Sequence, residues 1–159
     1  MGRLRWLAVM SALALPLSPA RANSLEQWIE KRALPREGAR ALSVAPQVDT
    51  LQEDGARTAA FLTRRAAGTR TPIHVHEGGG VTCLIEGEMT LYVEGQEPVR
   101  KGPGECYYMP SGVRMFGHNS GKQTAVFFDF FKTAKGQPLW RPTEGGTDAA
   151  THSQYGDKH

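Results

Sequence analysis

The chain of 159 residues lacks a paired-cysteine metal motif, a nucleophile elbow and a phosphate-cradling glycine loop, since its triple glycine, Gly78-Gly79-Gly80, is not followed by Lys-Ser/Thr. Those three classes of chemistry are thereby set aside. Cysteine is scarce: Cys83 and Cys106 each sit inside an apolar strand-like run, which favours inert burial and leaves a disulfide as the alternative. No internal repeat is visible, and no long uncharged run follows residue 22, so no stable membrane span is expected in the mature chain. A surplus of one charge is missing too. Of the 19 basic residues, Arg3, Arg5 and Arg21 fall in the first 22 positions, and the remainder match the 16 acidic ones in number. That balance argues against nucleic acid as a partner.

The first 22 residues are built differently from the rest. MGRLR supplies a basic start, WLAVMSALALPL an apolar run and Ala20-Arg21-Ala22 the small-x-small pattern that signal peptidase reads. This predicts a signal peptide over 1–22 and an exported mature protein, periplasmic or secreted. Leu4 separates Arg3 from Arg5, which points to general secretion and away from the twin-arginine route.

Residues 23–56 are expected to form a short helix and an extended arm. Ser24-Leu25-Glu26-Gln27 fits a capping box, and Leu25, Trp28, Ile29 and Ala33 recur at helical spacing before Pro35. From residue 57 the texture becomes short apolar or alternating runs separated by Gly, Pro and Asn, as in sandwiches and small barrels. TAAFLTRR, PIHVH, VTCLIE, EMTLYVE, EPVR, ECYYM, VRMFG and QTAVFFDFF are the candidate strands, a number that suits a jelly roll. Turns are expected at Gly87, Gly95, Gly102-Pro103-Gly104 and Asn119-Ser120-Gly121. The barrel is assigned to 57–135 and a disordered tail to 136–159, because the pattern of strands stops at Gly136.

The residues with the clearest chemical meaning are His74 and His76. In a strand, positions i and i+2 face the same way, about 6.6 Å apart along the axis, which suits two imidazoles on one metal ion. Their surroundings strengthen the reading. Gly68, five residues, His74-Val75-His76 and a later Gly87 are followed by Gly104, five residues, Pro110-Ser111-Gly112 and, at the end of the frame, Asn119. In this the chain resembles the cupin superfamily over roughly residues 57 to 131. The resemblance implies an all-β fold, the double-stranded β-helix or cupin jelly-roll barrel, with a divalent metal ion at its centre and a small-molecule ligand in its cavity. It further implies dioxygenase, lyase or isomerase chemistry if the protein is an enzyme. The alternative is a metal-free, non-catalytic binding or scaffold barrel.

The family holds its metal with two His, a Glu and a further His, and this chain has Gly80 and Met115 at the last two positions. His74 and His76 remain the expected metal ligands. Glu77 faces away by strand parity, although the glycines after it could let it swing inward; Met115 reads as a cavity wall with a soft thioether ligand as the alternative. His118, three residues past Met115 and so on the other face, reads as a surface histidine, with recruitment as a ligand through a β-bulge as the alternative. One of Tyr107 and Tyr108 must point inward, Arg70 and Arg114 read as surface residues with reception of an anionic ligand in the barrel mouth as the alternative, and Arg64-Arg65 as a solvated strand end. Apolar outer positions on VTCLIE and EMTLYVE permit a homodimer, a habit of the family.

Overall fold

The structure is a computed structural model and describes residues 23–144. The signal peptide expected at 1–22, and positions 145–159 of the expected tail, lie outside the described residues.

Helix α1 (Leu25–Lys31) begins as its sequence dictates. The Ser24 hydroxyl accepts the Gln27 N–H (3.2 Å) and the Gln27 side chain accepts the Ser24 N–H (2.7 Å), so two donors that the first turn leaves unpaired are satisfied. Leu25 and Trp28 then bury one face against Ile73, Tyr92 and Phe116. Each buried side chain of that size contributes about 2 kcal/mol.

Ten strands follow: β1 (Ser43–Leu51), β2 (Arg57–Arg65), β3 (His74–Val75), β4 (Gly80–Glu86), β5 (Met89–Val93), β6 (Val99–Lys101), β7 (Cys106–Met109), β8 (Met115–His118), β9 (Ala125–Thr133) and β10 (Arg141–Pro142). They form two five-stranded sheets, ordered β1-β2-β9-β4-β7 and β10-β3-β8-β5-β6, with antiparallel pairing throughout. The main core, including Phe61, Leu84, Leu91, Met109, Met115, Phe127 and Phe131, fills the space between them. Every inward residue of β9 obeys the period of two: Ala125, Phe127, Asp129, Phe131 and Thr133 are buried. The all-β double-stranded helix with one short helix is therefore the observed fold.

All eight expected strands are present, and two more join them. β1 runs through the expected arm, but most of its residues are exposed and Pro46 interrupts its ladder, with a register shift between Pro46 and Val48. An edge strand that buries neither face carries no alternation to read. The expected tail is corrected over 136–144. Leu139 and Trp140 are buried in the main core and β10 pairs with β3, so this segment closes one edge of the second sheet.

Arg70 likewise departs from the surface reading. It is fully buried, with its guanidinium bonded to both Glu144 carboxylate oxygens (2.8 and 2.5 Å) and to the carbonyls of Pro35, Arg36 and Thr71. Arg114 is half-buried and pairs with Glu26 and Glu94. Three of the expected glycine turns have positive φ, at Gly87, Gly95 and Gly104. At the fourth, the Asn119 side chain accepts the Gly121 N–H (3.0 Å) and turns the chain without one. The outer positions of β5 are not free for a partner copy, because Tyr92 is covered by Trp28 of α1.

The cysteines also correct the favoured reading. Cys83 and Cys106 are register partners on β4 and β7 and form a disulfide. Strand parity explains it: Thr82 and Leu84 face the core, which leaves Cys83 on the outer surface beside an exposed Cys106. Replacing both by Ala is expected to lower the unfolding free energy by about 3 kcal/mol, the loop-closure value for a bridge of this span. Urea titrations of the disulfide-intact protein and of the variant measure it, and equal midpoints contradict the expectation.

Candidate metal centre

His74 and His76 meet inside the barrel as their spacing predicts. Both are buried, and their Nε2 atoms lie 3.1 Å apart. Each ring is held from behind by a backbone carbonyl: His74 Nδ1 is 2.8 Å from Pro72 O, and His76 Nδ1 is 2.5 Å from Leu139 O. A carbonyl can only accept, so each Nδ1 carries the ring proton and each Nε2 presents a lone pair. Burial lowers the pKa of both rings. His74 falls well below the ordinary histidine value, with the neighbouring His76 adding to the effect of burial, and His76 falls to about 4.

Two neutral imidazoles thus aim lone pairs at one point. Lone pairs at that distance repel unless a cation lies between or beside them. A shared proton would charge one ring, which burial opposes. A metal ion suits the pair: ligands at about 2.1 Å on adjacent positions of one ion are about 3 Å apart, and carbonyls on the distal nitrogens are the usual orienting partners of metal-bound histidines.

The other two family positions do not supply donors. A β-carbon on Gly80 would stand 2.7 Å from Phe131 Cδ1, 2.8 Å from the Phe130 carbonyl oxygen and 2.9 Å from Met109 Cε, so the volume for a carboxylate is already filled. Met115 sits opposite His74 in the ladder, fully buried in the core, and does not line the cavity, which corrects the reading of it as a cavity wall. Glu77 does not swing inward; it pairs with Arg141 (2.7 Å) at the surface. His118 does face away from Met115, yet it is buried, which corrects the surface reading; burial lowers its pKa. Among the described residues no group of three His, Cys, Asp or Glu could hold a metal ion. The site therefore fits a two-histidine centre and does not fit the family's four-ligand one.

Aromatic rings shield the pair. Trp140 stacks on His74 with centroids 3.7 Å apart, and Phe131 stacks on His76 at 4.7 Å. Tyr107 is the inward tyrosine and Tyr108 the outward one, 65% exposed. Phe127 and Phe131 face the core, Phe116 lies under α1, and Phe130 is on the outer surface. The cavity beside them measures about 20 Å³, room for roughly one water molecule, and is lined by Arg65, His74, His76, Thr82, Tyr107 and Asp129 among others.

Arg65 and Asp129 were not expected there. Arg65 is fully buried, not a solvated strand end, and its Nη1 donates to Ala39 O (2.9 Å). Asp129 accepts from Thr82 Oγ1 (2.6 Å) and Thr63 Oγ1 (2.9 Å), while Tyr107, its pKa raised by burial and then by Asp129, hydrogen-bonds Thr82. Parity could have flagged both charges: Arg65 shares the inward phase of Phe61 and Thr63, and Asp129 that of Phe127 and Phe131.

Residues 61–131 match the cupin domain family. Among solved structures, the chain is similar to an RmlC-like cupin family protein with a double-stranded β-helix fold from Methanocaldococcus jannaschii, at 25% identity and TM-score 0.51, over 64% of this chain and 87% of that one. An uncharacterized conserved protein with a double-stranded β-helix domain from Klebsiella pneumoniae is similar at 15% identity and TM-score 0.53, over 72% and 94% of the two chains. No curated protein matches.

Two outcomes follow from the geometry. Depressed histidine pKa values mean that unfolding takes up protons below the ordinary value of 6.5, so the metal-free protein keeps its full stability above that pH and loses it as the pH falls toward 4. His76 alone accounts for about 3 kcal/mol by pH 4; urea midpoints across this range in the presence of a chelator test it, a flat profile being contrary. Gly80→Ala is expected to destabilise the fold by about 1–3 kcal/mol through overpacking against Phe131 and Met109, measured the same way.

Proposed function

We propose that the chain, whose residues 61–131 match the cupin domain family, is an exported metal-binding cupin whose His74 and His76 hold one ion at the barrel centre. The observation that carries this reading is the convergence of the two Nε2 lone pairs at 3.1 Å, each ring fixed by a carbonyl on its other nitrogen. The leader-like residues 1–22 and the Cys83–Cys106 disulfide support export to an oxidising compartment.

When bound, such an ion supplies Lewis acidity to a small molecule reaching it. The chain's own residues set the terms of access. Trp140 and Leu139 cover the histidines, so any occupant larger than water displaces that segment. Tyr107, Thr82 and Asp129 present a hydrogen-bonded polar wall, and Arg65 places a guanidinium on the same cavity.

Purified protein lacking residues 1–22 is expected to retain about one equivalent of a transition metal, and the double variant His74→Ala/His76→Ala to retain none, by elemental analysis after gel filtration. Near-zero metal in both ends the reading. One observation favours a metal-free barrel instead, the filling of the Gly80 side-chain volume by Phe131 and Met109. That barrel's thermal midpoint is indifferent to metals and chelators, whereas a metal-holding one rises with its ion.

A further inference from the structure

Met109 stands on β7 directly opposite Gly80 in the ladder, and it is buried against the same cavity as His74 and His76. Its methyl carbon lies 2.9 Å from the point where a β-carbon on residue 80 would project. It thus shares, with Phe131, the volume from which a carboxylate at position 80 would reach inward. A hard oxygen donor has been exchanged for a neighbouring thioether.

The sulfur is open to a cation. Thr82 Oγ1 approaches Met109 Sδ at 3.6 Å and Asp129 at 2.6 Å, so the shorter bond holds most of its single proton, and a thioether with two lone pairs keeps at least one for a cation. Met115, the thioether at the family's histidine position, does not line the cavity.

Charge points the same way. The Nδ1 of each of His74 and His76 donates to a carbonyl, which leaves Nε2 a neutral donor, and a thioether is neutral, so the donors cancel none of an ion's charge and the Arg65 guanidinium on the same cavity adds to it. Asp129, on the cavity wall, accepts from Thr63 and Thr82, and Glu77, next to His76 in the chain, pairs with Arg141 at the surface. A buried site of this kind favours a monovalent over a divalent ion, because uncompensated charge in a poorly solvated cavity is costly. Thioether and imidazole donors select the soft monovalent copper ion, whose filled d shell imposes no fixed geometry and is content with three ligands.

Resting on the two-histidine reading above, we propose that Met109 is the third protein ligand and that the ion held is copper(I). The set His74, His76 and Met109 then needs no fourth side chain, which accounts for the loss of both remaining family ligands.

The test uses disulfide-intact protein lacking residues 1–22, titrated anaerobically with copper(I) under ascorbate against a chromophoric copper(I) chelator, with manganese(II) and zinc(II) run in parallel. Wild type is expected to take one equivalent of copper(I), Met109→Leu to bind it at least on the order of tenfold more weakly, and Met115→Leu to match wild type. Copper K-edge absorption should show a sulfur scatterer in wild type that Met109→Leu lacks. Equal copper(I) affinity and equal spectra for wild type and Met109→Leu overturn the assignment of Met109 while leaving the histidine centre standing, and tighter binding of manganese(II) than copper(I) overturns the choice of ion. If no ion binds wild type above His74→Ala/His76→Ala, the underlying two-histidine reading fails. Should Met109→Leu not fold, the wild-type spectrum decides alone, first-shell nitrogen without sulfur being the overturning result.

Discussion

Arg70 is a guanidinium with no access to water, and the rest of the site hangs on how that charge is satisfied. Burying an unpaired cation costs several kcal/mol, so the fold must bring acceptors to it. It does so from two distant stretches of chain, the carbonyls of Pro35 and Arg36 after the helix and the Glu144 carboxylate, which also accepts the Ile73 N–H (2.7 Å), and from the carbonyl of its own neighbour Thr71. All the guanidinium protons are thereby taken. The link to Glu144 draws residues 138–144 back over the barrel. Only because of that return do the Leu139 carbonyl and the Trp140 ring reach His76 and His74.

The histidine pair is consequently shaped from two sides. One carbonyl comes from its own turn, at Pro72, and the other from the returning segment, at Leu139. Together they fix both tautomers, and burial keeps both rings neutral, so the barrel presents two lone pairs at one point of its interior. The surroundings are those of a soft site. Where a carboxylate would stand there are Phe131 and Met109, and the charged residues that do face the cavity, Arg65 and Asp129, lie with Thr63, Thr82 and Tyr107.

Strand periodicity made most of the barrel legible. Alternation in QTAVFFDFF placed β9, the turns at Gly87, Gly95 and Gly104 set the hairpins, and the i, i+2 spacing put His74 and His76 on one face. β1 escaped because an exposed edge strand interrupted by Pro46 has no buried face to imprint a pattern. β10 escaped because its two residues are too few for any period, and the anchors Leu139 and Trp140 sit among Gly, Pro and charged neighbours. Arg65, Arg70 and His118 look like surface residues in the sequence because charged and polar side chains usually are; each is buried in the fold.

The sequence by itself determined what local rules can encode: the capped helix, eight strands, their inward faces and the pair of histidines directed to one side. Those follow from backbone periodicity and turn chemistry within a few residues. Only the tertiary structure decided what surrounds that pair. The Arg70–Glu144 link, the Trp140 stack, the filled volume beside Gly80, the Met109 thioether and the Cys83–Cys106 bridge each join residues separated by many positions. Such contacts depend on how the two sheets close on one another, which no local pattern specifies.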